Sequence, residues 1–454
     1  MNSKSSSTNA EHWFRFGSKL CSTINCTFFV QDNAKSTSKM RNLNYLLLLT
    51  FFSASSQTLT IDEVYSLAKQ NYPLINRHDL IAKTKQYNLE NASKGWLPQI
   101  NIVGQATYQN EVTQLPFSLP NMAIEPLTKD QYKVFADVQQ TIYDGGMISN
   151  QKKIAQINSE IEMQKTEVET HKLEERINQI FFGALQTDEQ IGQNELTIFD
   201  IQNALENAEN QLKNGVILRS NVDVLKAQLI QLQQKQIELQ NIKKSFLEML
   251  SVFINRNLDE QTKLQKPERI LVENVNNRPE LKLFDLQKQA LETQKSVINS
   301  RNMPKLGAFV QGGYGKPGFN MLKNEFDMFY IGGVRLNIPV SGFYTKKNDL
   351  ALIQLQQNEV DIQKENFLFN QQFQTLQSNN ELEKIQQLID KDSELIVLRE
   401  SIKKASLAQL ENGVITTNDY LREVNELDRA RTQKILHEIQ YLLTQHNLKA
   451  QLNN

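Results

Sequence analysis

The sequence predicts a mixed, mainly α fold made of two copies of one unit, a pair of β-strands followed by a hairpin of very long helices. Three observations predict it. The turn Leu212-Lys213-Asn214-Gly215-Val216-Ile217 recurs, nearly unchanged, as Leu410-Glu411-Asn412-Gly413-Val414-Ile415. Each copy interrupts a long stretch whose apolar residues fall at the three- and four-residue steps of an α-helix. Before each such stretch come two short segments in which apolar and polar residues alternate, which is strand patterning. A duplication on this scale replaces the length-based expectation of about three domains.

Charge is balanced, with 50 basic and 51 acidic residues and a formal net charge of -1. A nucleic-acid partner, which calls for a basic face, is not expected. The chain is rich in Gln, Asn, Leu and Ile and holds only 10 Pro and 17 Gly. That suits long helices with narrow apolar stripes better than one large core.

Residues 1–39 show no helical or strand period and read as a disordered or over-extended N-terminal extension. Residues 40–56 run from Met40-Arg41 through Leu46-Leu47-Leu48-Leu49 to Ala54-Ser55-Ser56. A basic start, a short apolar run and small residues make a secretory signal peptide, too short to span a bilayer as a helix. Both cysteines, Cys21 and Cys26, precede Met40. The mature chain is therefore expected to have no disulfide, no thiolate chemistry and no lipid-attachment cysteine.

The first repeat covers residues 57–265. Thr60 and Glu63 form a capping box at its start. A helix then runs from Pro73 to about Trp96 and stops at Pro98. Strands are expected at about 99–109 and 131–144, and a hairpin over 146–255. The first strand sets Ile100, Ile102, Gly104, Ala106 and Tyr108 against Asn101, Gln105 and Thr107. The hairpin's outgoing arm carries a seam through Ile201, Leu205, Ala208 and Leu212, and its returning arm one through Val222, Leu225, Leu229 and Leu232.

The second repeat, 266–454, follows the same plan. Pro279 and Pro304 bracket a helix at the interval that separates Pro73 from Pro98. Strands are expected at about 305–315 and 328–340, and a hairpin over 342–453. At the tips, Asn-Gly supplies the positive φ that ends a helix. New helix starts are expected at Ser220-x-x-Asp223 and Thr416-x-x-Asp419, with Ser220 and Thr416 as N-caps. On that reading the first turn is the longer.

Aromatics near the strand ends (Tyr108, Tyr132, Tyr143, Phe309, Tyr314, Phe329, Tyr330) fit a membrane barrel with aromatic girdles. Four strands cannot close a barrel, and an open edge is not tolerated in lipid. Closure requires several chains: two give a barrel that side chains fill, whereas three give one wide enough for a lumen.

In these features the chain resembles the TolC-like outer-membrane efflux proteins over about residues 57–454. The resemblance rests on Leu59–Pro73, on Trp96-Leu97-Pro98, and on Gln140-Thr141-Ile142-Tyr143-Asp144-Gly145-Gly146. The duplicated turns and their followers Asp223-Val224-Leu225 and Asp419-Tyr420-Leu421 complete it. It implies a homotrimer in the cell outer membrane, a 12-stranded barrel continued by a periplasmic α-helical coiled-coil barrel. It implies an exit duct for a tripartite efflux pump or type I secretion system, working with a periplasmic adaptor protein and an inner-membrane pump. The tips, Asn214, Gly215, Val216, Asn412, Gly413 and Val414, would dock the adaptor. Asp419 would match a pore-constricting acid, with Asp223 its candidate counterpart in the first repeat. The family's next acid falls on Arg422, so a double acidic ring is not expected.

No cofactor, metal or catalytic group is expected. His78, His171, His437 and His446 lack metal-ligand spacing. Gly312-Gly313-Tyr314-Gly315-Lys316-Pro317-Gly318 lies on a strand, and Pro317 replaces the hydroxyl residue of a phosphate loop. The competing reading is an exported periplasmic coiled-coil adaptor or scaffold, which has no use for aromatic-flanked, alternating strands.

Overall fold

The computed structural model describes residues 58–113, 126–273 and 275–453. The expected extension 1–39 and signal peptide 40–56 lie outside them. Among the described residues no helix is long and apolar enough to cross a membrane.

Helix α1, Ile61–Asn71, starts at the Thr60–Glu63 capping box, with both reciprocal hydrogen bonds present. A 3-10 turn, Pro73–Asn76, leads into α2, Arg77–Ser93. Strand β1, Gln99–Tyr108, and β2, Asp130–Tyr143, follow. The first hairpin is α3, Met147–Lys213, and α4, Arg219–Ile254. The second copy runs α5, Pro279–Arg301; β3, Lys305–Lys316; β4, Asp327–Asn337; α6, Phe343–Glu411; and α7, Thr417–Leu452. The 67 residues of α3 and 69 of α6 make rods of about 100 Å at 1.5 Å per residue.

All four strands join one antiparallel sheet in the order β1-β2-β3-β4. The central pairing, with Val138 opposite Val310, joins the two copies. One edge of β1 and one of β4 remain without a strand partner among the described residues. One face of the sheet carries Ile100, Ile102, Tyr108, Val134, Val310, Tyr314, Met328, Tyr330 and Val334, all well exposed. The other carries Asp137, Gln139 and Gln311, where both Gln amides donate to the Asp137 carboxylate, at 2.6 and 3.1 Å.

Two of the residues expected in the aromatic girdle are on that second, polar face. Phe309 stands opposite Gln139, and Phe329 packs on Phe135. Strand parity decides this, since adjacent residues point to opposite faces.

The sheet hands over to α3 through Asp144-Gly145-Gly146. Both glycines adopt left-handed φ, +71° and +86°, and the Asp144 carboxylate accepts from the N–H groups of Gly146 and Ile148. A Cβ on Gly145 would lie 2.6 Å from that of Met303, so the turn also sets the approach of α5. The equivalent Gly342 keeps an ordinary φ of -63°; its constraint is the Asn302 side chain beside it.

The main core lies where the hairpins meet the first helix. Val64 and Ala68 of α1, Ile177 and Phe181 of α3, Leu250 of α4 and Ile439 of α7 are buried there together. His446 of α7 packs on Phe182 in the same core, its ring nitrogens without hydrogen-bond partners. Burial, with a smaller push from Lys449, lowers its pKa from 6.5 to about 4. The unfolded chain binds that proton as pH falls below 6.5 and the folded chain does not until about 4, so stability declines across that window. The melting temperature should drop between pH 6.5 and 4, and His446→Leu should remove part of that drop.

Candidate functional site

The two hairpin tips are the candidate site. Each closes in the same way. Gly215 N–H donates to Leu212 and Val216 N–H to Gln211; Gly413 N–H donates to Leu410 and Val414 N–H to Gln409, all within 2.8–3.0 Å. These are Schellman closures with glycine in the left-handed position, φ +70° and +69°. The closure turns Val216 and Val414 outward, 70% and 71% exposed. Ile217 and Ile415 turn inward onto a tip cluster that includes Ile201, Leu225, Tyr420 and Val424.

The next residues correct the expected helix starts. In both copies the N-cap is the third residue after the glycine, Leu218 in the first and Thr416 in the second. The turns are equal in length. Ser220 is not a cap; it is the second residue of α4, because the hairpin geometry fixes the cap position and places Leu218 there. Leu218 has no side-chain acceptor and stands 73% exposed. Thr416 has the full capping box. Its Oγ1 accepts from Asp419 N–H at 3.2 Å, and its own N–H and Oγ1 donate to the Asp419 carboxylate at 3.1 and 2.7 Å. The Thr416 hydroxyl and amide thereby hold the Asp419 carboxyl below its usual pKa.

Equal turns also separate the two acids. Asn221 occupies the place of Asp419, and Asp223 lies deeper in α4, exposed, 3.8 Å from Arg219. The tips converge around a cleft of about 420 Å³ lined by Val216, Leu218, Gly413 and Thr416, over a floor that includes Ala208 and Leu407. Neither acid lines it.

One set of residues was missed in the sequence. The Asp428 carboxylate of α7 accepts from Thr197 Oγ1 (2.8 Å) and Gln193 Nε2 (3.2 Å) of α3 and from Lys235 Nζ (3.2 Å) of α4. Lys403 of α6 pairs with Asp200 of α3. Arg399 of α6 bridges Glu423 and Glu426 of α7. The Asp428 and Lys403 links tie the two hairpins together behind the tips, and the Arg399 bridges tie the two arms of the second hairpin. The available signal was an acid, Asp428, at the seam spacing of Leu421 and Val424. Asp428 is mostly buried, so Asp428→Ala should cost about 2 kcal/mol. Amide exchange over 417–431 should quicken while the sheet stays unchanged.

A family model described as "Outer membrane efflux protein" matches residues 64–249, the span from α1 to near the end of α4. That match covers less than half of the chain. No curated protein sequence matches it. Solved structures share the fold over most of its length. The CmeC outer membrane channel of Campylobacter jejuni superposes with a TM-score of 0.61 at 11% identity, covering 86% of this chain and 85% of that one. The outer membrane protein VceC of Vibrio cholerae gives 0.61 at 13%, covering 87% and 95%. The open state of the MtrE outer membrane channel of Neisseria gonorrhoeae gives 0.61 at 12%, covering 87% and 89%.

Proposed function

We infer that this protein is the outer-membrane exit duct of an efflux or secretion assembly, a non-enzymatic gated channel for small molecules or proteins. The sheet carries the inference. It has one apolar, aromatic-rich face, one polar face, and two edges without strand partners among the described residues. A closed barrel built by several copies satisfies all three features at once. Three copies give twelve strands and a polar lumen. The same assembly covers the ridge of α6 (Leu352, Leu355, Ile362, Phe369, Phe373), which stands exposed among the described residues. A soluble adaptor or scaffold would leave the apolar sheet face in water.

In the trimer, each repeat, 57–265 and 266–454, supplies two strands and one hairpin. The six tips gather at the periplasmic end, where an adaptor linked to an inner-membrane pump docks on Asn214-Gly215-Val216 and Asn412-Gly413-Val414. Asp419 is the acid of the pore constriction; Asp223, displaced from the equivalent position, is a minor contributor. The experiment is a deletion. Cells lacking the protein should accumulate a fluorescent efflux substrate such as ethidium, and the intact gene should restore its export. Unchanged accumulation and secretion in the deletion strain would remove the proposal.

A further inference from the structure

The polar face of the sheet carries an aromatic group that the exit-duct reading does not use. Phe135 of β2 and Phe329 of β4 both stand opposite Gly313 of β3, one on each side. With no side chain between them, their rings lean together at 6.2 Å. A Cβ at Gly313 would fall 2.4 Å from that of Phe135, so the glycine is what admits the pair. Phe319, from the turn between β3 and β4, then packs edge-on against Phe329 at 4.9 Å and 73°. It remains 54% exposed, standing off the wall of the sheet.

The turn is held in that position from several sides. Phe326 stacks on Tyr314 of the outer face at 5.6 Å. Asn324 accepts from the Thr128 N–H and hydroxyl at 3.2 and 3.3 Å. The turn thus wraps the strand ends, with Phe319 on the polar face and Phe326 on the apolar one. It lies at the end of the sheet away from the helices, since β2 and β4 both lead toward α3 and α6.

We propose that Phe135, Phe329 and Phe319 form an aromatic collar at the outer mouth of the barrel, which narrows the exit and contacts departing solutes with flat apolar or aromatic surfaces. This rests on the trimeric duct reading. Twelve strands about 4.8 Å apart and tilted by about 40° close at about 24 Å between opposite backbones. Phenylalanines reaching about 6 Å from each wall leave an opening on the order of 10 Å, the width of a drug-sized molecule. Aromatic faces at that distance meet such a solute directly. Lys133 flanks the collar toward the mouth and Asp137 lies one layer deeper on the same face, so the layer itself is apolar between opposite charges.

The test places a reporter beneath the collar. Asn101, opposite Asp137, lies on the lumenal face one layer deeper than Phe135. In intact cells carrying Asn101→Cys, a small membrane-impermeant maleimide should label the cysteine from outside quickly and a bulky polyethylene-glycol maleimide slowly. Adding Phe319→Ala and Phe329→Ala should raise the bulky reagent's rate about tenfold and leave the small reagent's rate unchanged. Added 1-naphthol should slow labelling with the collar intact and not in the alanine variant. Phe319→Tyr, which keeps the ring, should behave as the parent, and trimer recovery is checked for each. No labelling by the small reagent would sink the duct reading itself. Normal labelling with an unchanged ratio of bulky to small rates, or unchanged naphthol protection, would overturn the collar alone.

Discussion

Val310→Arg is expected to abolish assembly in the membrane, while Gln311→Arg, one residue later, is tolerated. Val310 lies midway along β3, opposite Val138, on the apolar face. An arginine at the middle of the lipid face of a barrel costs about 2–4 kcal/mol, and a trimer carries three, so about 6–12 kcal/mol per barrel. That is comparable with the whole stability of a folded domain. Gln311 points to the other face, where its amide donates to Asp137 at 3.1 Å. Arginine there would exchange that hydrogen bond for a charge-assisted one in a wet lumen. The measurement is the amount of trimer recovered from outer membranes by semi-native electrophoresis. Near-normal recovery for Val310→Arg would mean that this face does not meet lipid.

The second large effect is expected at the tips. Gly215→Val together with Gly413→Val should eliminate export while trimer and barrel remain at parental levels. Nothing lies within 4 Å of a Cβ built on either glycine, so no clash enters. The cost is the backbone: φ of +70° and +69° disfavours a β-branched residue by about 1–2 kcal/mol per site. The cheapest relief is to rebuild the turn, which moves Val216 and Val414 away from their outward positions. The sheet, about 100 Å away along α3 and α6, should not register the change. Gly215→Asn with Gly413→Asn is the control, because asparagine enters the left-handed region more easily. It should retain most of the export. Ethidium accumulation, read beside trimer recovery, separates the outcomes, and full export by the valine pair would deny the tips a docking role.

Much of the fold is visible in the sequence because its elements are long and repeated. Period and punctuation carry it: the Pro-bounded helices, the alternating strands, and the Asn-Gly turns in arms otherwise almost free of glycine. What was not legible is what depends on geometry across elements. The motif Ser220-x-x-Asp223 matches Thr416-x-x-Asp419 in letters, but the Schellman closure counts residues from the glycine and places Leu218 at the cap. The inter-hairpin links of Asp428, Asp200 and Lys403 join residues on different helices, and no local pattern pairs them. Phe309 and Phe329 read as girdle aromatics by proximity to strand ends, whereas their register places them on the polar face of the sheet.

The central claim is that β1 and β4 of different copies close one membrane barrel. Native mass spectrometry of the protein extracted by detergent from carbonate-washed outer membranes tests it most directly. The account predicts a species of three chains that remains in the membrane through the wash. A single chain, or protein released by carbonate, would contradict it.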